Sequence, residues 1–154
     1  MTTASPPNLR TGHVGLNVSD TRRASHFYAA ALGLRVQSES QEEGRRYVFL
    51  GDDERLVLTL WEQSEGTFSA GTPGLHHLSF EVDDIADVEA AEARVRALGG
   101  TVLHGGIVPH REGADSGGLF FEDPDGIRLE IYAGRGAAAH GEAPTAGAPS
   151  CGFF

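Results

Sequence analysis

The chain has 154 residues, of which 40% are hydrophobic, and a formal net charge of −10 at pH 7. This length supports one domain with a sizeable core and is too short for two independent domains. The acidic balance argues against nucleic acid as a partner, and no apolar run approaches the roughly 20 residues of a membrane-spanning helix. The first residues lack a secretory signal pattern, so a cytoplasmic location is expected.

An internal repeat divides the chain into two halves. The segment HVGLNVSD at residues 13–20 is similar to HLSFEVDD at residues 77–84, because both begin with His and keep the same Val and final Asp. Further along, ALG at residues 31–33 recurs at residues 97–99. Two copies in so short a chain must share one core, and the repeat therefore decides the fold.

The first copy has the pattern of a β-α-β-β-β unit. Asp20 is placed to cap a helix at its N-terminus, and Gly33 is placed to end it. The predicted elements are a strand at 12–18, a helix at 21–32, and strands at 34–40, 45–50 and 55–61.

The second copy repeats this order with longer loops. Asp84 is the expected N-cap, the pair at residues 99–100 ends the helix, and DPDG at residues 123–126 predicts a tight turn between the last two strands. The predicted elements are a strand at 74–82, a helix at 85–98, and strands at 101–105, 117–122 and 127–133.

These elements predict one α+β domain built from two βαβββ modules. The ends of the chain are polar or rich in Ala, Gly and Pro, which favours mobility. The tail nevertheless ends in Phe153 and Phe154, which are able to dock in a groove or on a neighbouring subunit. The expected boundaries are a leader at 1–8, a domain at 9–133 with modules at 9–61 and 74–133, a linker at 62–73, and a tail at 134–154.

Three residues with metal-binding chemistry stand out on the predicted strands. Strand alternation places His13, His77 and Glu130 away from the aliphatic faces of their strands. Two histidines and one carboxylate form the 2-His-1-carboxylate site, which leaves coordination positions open for substrate or dioxygen. His76 is the alternative to His77, but it is expected on the opposite face. Each residue taken alone is also consistent with a satisfied polar position in a half-exposed strand.

Four segments together resemble the vicinal oxygen chelate superfamily, which includes glyoxalase I, extradiol dioxygenases, fosfomycin-thiol transferases, methylmalonyl-CoA epimerase and bleomycin-binding proteins. The resemblance implies that the paired modules form an eight-stranded, cup-shaped mixed sheet with flanking helices around a divalent metal, usually in a homodimer. By motif position the implied metal ligands are His13, His77 and Glu130. The segments are GHVGLNV at 12–18, FYAAALGL at 27–34, GLHHLSF at 74–80 and DPDGIRLEIY at 123–132.

One carboxylate that many members of the superfamily carry is missing here, and its absence narrows the choice of activity. Many members of the superfamily carry a fourth ligand, a Glu, where this chain has Thr59, and a threonine is a poor ligand for a divalent metal. This departure argues against glyoxalase I or epimerase chemistry and favours an extradiol dioxygenase or a fosfomycin-type transferase. His110, in a glycine-rich loop, matches a histidine that contacts substrate oxygen in the dioxygenases, and an imidazole is a side chain suited to acid/base work. A tyrosine near Phe120 and a histidine in 56–68, both expected in dioxygenases, are absent from the sequence.

Aromatic residues are expected to line the cup. Phe49, Trp61 and Phe120, with Thr59, are the candidate substrate-binding residues, since an aromatic wall suits a planar organic ligand. Aromatics at strand spacing are equally consistent with ordinary core packing.

Three functions of different class follow. The leading hypothesis is a metal-dependent oxygenase, with Fe(II) or Mn(II), that acts on a small organic molecule with two vicinal oxygens. The second keeps the metal, with Ni(II), Zn(II) or Mg(II) also suitable, in a glyoxalase-like lyase, an isomerase or a thiol transferase. The third is a non-catalytic protein that sequesters a drug or metabolite, as bleomycin resistance proteins do.

Overall fold

The computed structural model describes residues 5–144 and residue 153. The first residues of the expected leader, most of the end of the tail, Cys151 and Phe154 lie outside the described residues. Among the helices that are described, none combines the length and apolar character needed to cross a membrane.

The first module folds into a four-stranded sheet with one helix against it. Its strand order is β1-β4-β3-β2, in which β1 runs parallel to β4 and the other pairs are antiparallel. The elements are β1 (Val14–Val18), α1 (Thr21–Leu32), β2 (Arg35–Ser40), β3 (Tyr47–Gly51) and β4 (Leu56–Glu62).

The helix α1 has the boundaries that its sequence predicts. The Asp20 side chain accepts a hydrogen bond from the backbone N–H of Arg23 at 2.9 Å, which satisfies one of the unpaired donors of the first turn. Gly33 ends the helix in the left-handed conformation with φ 69°, which a residue without Cβ adopts at low cost. The helix thus begins and ends where the sequence predicts, and the prediction is confirmed.

The second module forms a five-stranded sheet of the same design. Its order is β5-β9-β8-β6. The short β7 also pairs with β8, at the start of that strand. As in the first module, the outer strand β5 is parallel to β9. The elements are β5 (Leu78–Val82), α2 (Ile85–Ala97), β6 (Thr101–Val102), β7 (Val108–Pro109), β8 (Gly117–Glu122) and β9 (Arg128–Ala133).

The turn between β8 and β9 also follows its sequence. The N–H of Gly126 donates to the carbonyl of Asp123 at 3.0 Å, and Gly126 has φ 81°. The Asp123 side chain accepts from the N–H groups of Asp125 and Ile127, both at 2.8 Å. The turn is thus held by the Asx-type bonding that favours Asp at this position.

The predicted α+β class and the two βαβββ modules are confirmed, but the sheets are not closed. The nine strands of the described chain form two separate sheets instead of one continuous eight-stranded cup. The helices α1 and α2 pack against each other between the modules, where the ring of Phe27 lies 6.2 Å from that of Phe121. One apolar core therefore serves both modules, and the two polar sheet faces stay separate.

The beginning of the tail is packed instead of loose. A 3₁₀ helix at Ala137–Ala139 follows β9, and Ala137 is fully buried in the common core. The N–H of Ala137 donates to the carbonyl of Asp115 at 2.9 Å. The expectation of mobility is therefore wrong for this part of the tail, because a small side chain fits against β7 and β8 at little entropic cost.

Candidate functional site

A buried carboxylate lies on the open face of the second sheet. Glu130, in the middle of β9, is paired with Ser79 of β5 and with Phe120 of β8, and it is only 4% exposed. Burying a carboxylate is costly unless hydrogen bonds or opposite charges compensate it. The groups around Glu130 therefore matter for stability as well as for function.

His77 is the first of these groups. It lies directly before β5, and its Nε2 is 3.6 Å from Oε2 of Glu130. Burial lowers the pKa of His77 and outweighs the opposing effect of the Glu130 charge, while His76 and Arg128 lower the pKa further. The imidazole is thus favoured in its neutral form, which is the form that binds metals.

His110 is the second group. Its Nε2 lies 2.5 Å from Oε1 of Glu130, and its Nδ1 lies 3.1 Å from Oγ of Ser116. The Tyr132 ring packs edge-on against the imidazole, with centroids 5.0 Å apart. Glu130 therefore faces one imidazole with each carboxylate oxygen. His77, His110 and Glu130 are called the second-sheet site below.

Three candidate residues of the first module, Phe49, Thr59 and Trp61, lie together on the open face of the other sheet. Thr59 is paired with Gly15 and Phe49 and is 2% exposed, and its Oγ1 accepts from Nε1 of Trp61 at 3.0 Å. Trp61 is 37% exposed, and its ring contacts Phe49 at a centroid distance of 5.5 Å. His13 is exposed and directly precedes β1. Gly15 leaves room beside Thr59, where a Cβ would lie 3.2 Å from the hydroxyl.

The predicted site residues thus fall into two groups. His77, His110, Glu130 and Phe120 meet at the second sheet. Phe49, Thr59 and Trp61 lie on the first sheet, and His13 directly precedes its strand β1. Within residues 5–144 and 153, no group of three or more His, Cys, Asp or Glu side chains is arranged to hold a metal ion. The assignment of His13, His77 and Glu130 as one ligand set stays a prediction.

Several contacts of the second-sheet site were not expected from the sequence. His76 was expected on the opposite face, but its Nδ1 is 2.8 Å from Nδ1 of His77. Ser116 and Tyr132 were not singled out, because a hydroxyl in a loop or at a strand end carries no specific sequence signal. The ring of Phe153 also lies at the second-sheet site, where it contacts the rings of His77 and Phe120. The sequence offered only a weak indication that Phe153 docks here, namely an aromatic side chain in the tail.

Comparison with known proteins agrees with this fold. The sequence model of the Glyoxalase/Bleomycin resistance protein/Dioxygenase superfamily matches residues 10–131. The chain therefore belongs to that superfamily.

Similar proteins differ in activity. A catechol-2,3-dioxygenase of Bacillus subtilis is 27% identical over 130 residues, which cover 80% of this chain but only 41% of the dioxygenase. A lactoylglutathione lyase of Escherichia coli O157:H7 is 30% identical over 142 residues, which cover 83% of this chain and 98% of the lyase. A solved glyoxylase/bleomycin resistance protein/dioxygenase domain from Frankia sp. EAN1pec superposes with a TM-score of 0.69 at 24% identity, covering 84% of this chain and 94% of that one.

Proposed function

We propose that this protein is a divalent-metal-dependent enzyme of the vicinal oxygen chelate type that acts on a small organic molecule with two vicinal oxygens. The observation that carries this proposal is the buried Glu130 carboxylate between the imidazoles of His77 and His110. Such a carboxylate in an open sheet face is a costly arrangement for structure alone, and it matches the mixed nitrogen and oxygen donors of a divalent metal.

The ligands and the proton carrier have different places in this scheme. His77 and Glu130 would hold the metal, with His13 as the third ligand. When bound, the metal supplies a positive charge that holds and polarises two neighbouring substrate oxygens. His110 contacts the other oxygen of Glu130, so it is placed to take or return a proton at a substrate oxygen bound there.

A second copy of the chain is needed to complete this site. His13 directly precedes β1 of the first sheet, and the two sheets of one chain do not join into a cup. We propose a homodimer in which the first sheet of one chain faces the second sheet of the other, giving two equivalent sites. This pairing also covers the aromatic cluster of Tyr47, Phe49 and Trp61, in which Tyr47 and Phe49 are half-buried and Trp61 is exposed. A cytoplasmic location stays a prediction.

The dioxygenase-like reaction is our first choice, with Fe(II) or Mn(II) as the metal. Thr59 leaves three ligands in this scheme, and His110 is present near the carboxylate. The second candidate is a glyoxalase-like reaction with Ni(II), Zn(II) or Mg(II), which is favoured by the similarity to a lactoylglutathione lyase over 98% of the length of that enzyme. A drug-binding role without catalysis is the third, and it is supported by the aromatic face of the first sheet.

Metal content is the first test of the proposal. We expect stoichiometric metal in protein purified under nitrogen, and loss of most of it in the Glu130→Ala and His77→Ala variants. His26→Ala is the matched control, because His26 is exposed on α1 and faces neither sheet site. A wild-type protein that takes up no metal even after reconstitution would refute the proposal and favour sequestration.

The loaded protein then distinguishes the reactions. Oxygen uptake with catechol and Fe(II) or Mn(II) supports the dioxygenase-like choice. Turnover of a glutathione adduct of an α-ketoaldehyde under nitrogen, with Ni(II) or Zn(II), supports the lyase instead.

A further inference from the structure

An aromatic side chain from the end of the chain lies on the second-sheet site. The ring centroid of Phe153 is 5.4 Å from that of His77 and 6.2 Å from that of His76. It meets the Phe120 ring edge-on at 5.6 Å. The guanidinium carbon of Arg128 lies over the ring, 5.2 Å from its centroid. The space between His77, Phe120 and Arg128 is called the aromatic subsite below.

The three walls of this subsite bind a phenyl ring by different forces. Phe120 offers an edge-to-face contact, and Arg128 offers a cation–π contact to the ring face. His77, which is itself a candidate metal ligand, adds a tilted ring contact. A flat aromatic group fits these walls better than a branched aliphatic group, because each wall interacts with a π system.

The occupant of the subsite comes from outside the superfamily domain. The match to the superfamily ends at residue 131, whereas the ring belongs to residue 153. The intervening tail is anchored to the second module by Ala137, which is buried, and by His140, whose Nε2 is 3.0 Å from a Glu89 oxygen.

We propose that the side chain of Phe153 is an intramolecular ligand of the second-sheet site. Phe153 occupies the aromatic subsite in the resting protein, and it must leave before a planar aromatic molecule binds beside Glu130. The tail thereby competes with ligands and lowers their apparent affinity by the fraction of protein in which the ring is docked. Docking itself does not depend on a metal, while its effect on catalysis rests on the proposed function.

Docking is tested in the metal-free, full-length protein. The ring-current field of Phe153 acts on His77, so the His77 ring proton resonances are measured by NMR in the wild type and in Phe153→Ala. Phe154→Ala is the matched control, since it removes the same side chain from the neighbouring position. We expect a shift in Phe153→Ala that is absent in Phe154→Ala, and a return of the wild-type signal when a peptide of residues 145–154 is added. Unchanged His77 resonances in Phe153→Ala would overturn the proposal.

Competition is tested in the metal-loaded protein. The probe is 4-nitrocatechol, a flat aromatic diol, titrated into Mn(II)-loaded protein. We expect the affinity to rise about threefold to tenfold in Phe153→Ala and to stay at the wild-type level in Phe154→Ala. Equal affinities in wild type and Phe153→Ala would overturn the competitive role. A protein that takes up no Mn(II) would refute the proposed function, and the His77 resonances would still decide whether the ring is docked.

Discussion

A buried carboxylate links the two modules at the scale of single residues. Asp123, at the end of β8, accepts a hydrogen bond at 2.9 Å from the hydroxyl of Tyr28, which is fully buried on α1. Burial raises the pKa of Asp123, although the hydrogen bonds from Ile127, Tyr28 and Asp125 act in the opposite direction. Burial and the Asp123 charge also raise the pKa of Tyr28, so its hydroxyl keeps the proton that it donates.

We expect Tyr28→Phe to lower the free energy of unfolding at pH 7 by about 1–3 kcal/mol, because it removes the donor to Oδ2 of the buried Asp123 carboxylate, while the two backbone donors to Oδ1 remain. Loss of that donor raises the folded pKa of Asp123 further. The penalty is therefore complete at neutral pH and shrinks as the pH falls through the folded pKa of Asp123, where the protonated carboxyl no longer needs the donor. Urea unfolding at several pH values measures this difference.

Tyr47→Phe is the control for this change. The Tyr47 hydroxyl lies 3.4 Å from Oγ of Ser38 in an exposed position, so its loss is expected to change stability by less than about 0.5 kcal/mol. A penalty that is equal in both variants, or one that grows as the pH falls, would contradict the role assigned to Tyr28.

At the scale of elements, the backbones of β7 and β9 approach β8 closely. This strand begins with two glycines, between β9 on one side and β7 on the other. A Cβ at Gly118 would overlap the carbonyl oxygen of Ile131 and would lie 2.6 Å from Cα of Tyr132. Since these are backbone atoms of a paired strand, they have no rotamer change available to relieve the overlap.

Gly118→Ala is therefore expected to destabilise the protein by about 1–3 kcal/mol or more, as overpacking of a core does. Thermal or urea unfolding measures the loss. Gly66→Ala provides the comparison, because a Cβ at Gly66 meets nothing within 4 Å. A Gly118→Ala variant as stable as Gly66→Ala would mean that β8 and β9 separate more easily than their spacing suggests.

The arrangement of the two sheets is the main feature at the scale of the whole molecule. Both modules turn their aliphatic sides to the shared core and their opposite sides away from it. Glu130 lies on β9 of the second sheet, whereas His13 directly precedes β1 of the first. In the homodimer proposed above, a site that uses both residues combines two chains. Mixing variants of the two chains tests this requirement directly.

We expect co-refolded His13→Ala and Glu130→Ala chains to recover metal binding, although neither variant binds metal alone. With random pairing, half of the dimers are mixed and each has one intact site of two, so recovery of about a quarter of the wild-type metal is expected. A mixture of His77→Ala and Glu130→Ala is the control, because both residues belong to the same sheet. Failure of the first mixture to exceed the second would place the site within one chain.

The secondary structure of this protein was largely determined by the sequence itself. Asp20 and Gly33 bound α1, Asp84 accepts from the N–H of Ala86 to begin α2, and the turn at 123–126 has the predicted bonding. These features depend on neighbours within a few residues, which is why local sequence is sufficient. The repeat likewise predicted two modules of one design, since each copy carries the same local signals.

Only the tertiary structure decided which candidate residues meet. The contact of His110 with Glu130 crosses a long loop, and the contact of Phe153 with His77 crosses most of the second module and the tail. Whether two open sheets join into a cup or stay apart depends on helix packing between modules, which the repeat pattern does not encode. Contacts of this kind arise from the balance of burial and chain entropy over the whole molecule. The spacing of residues along the sequence does not predict that balance.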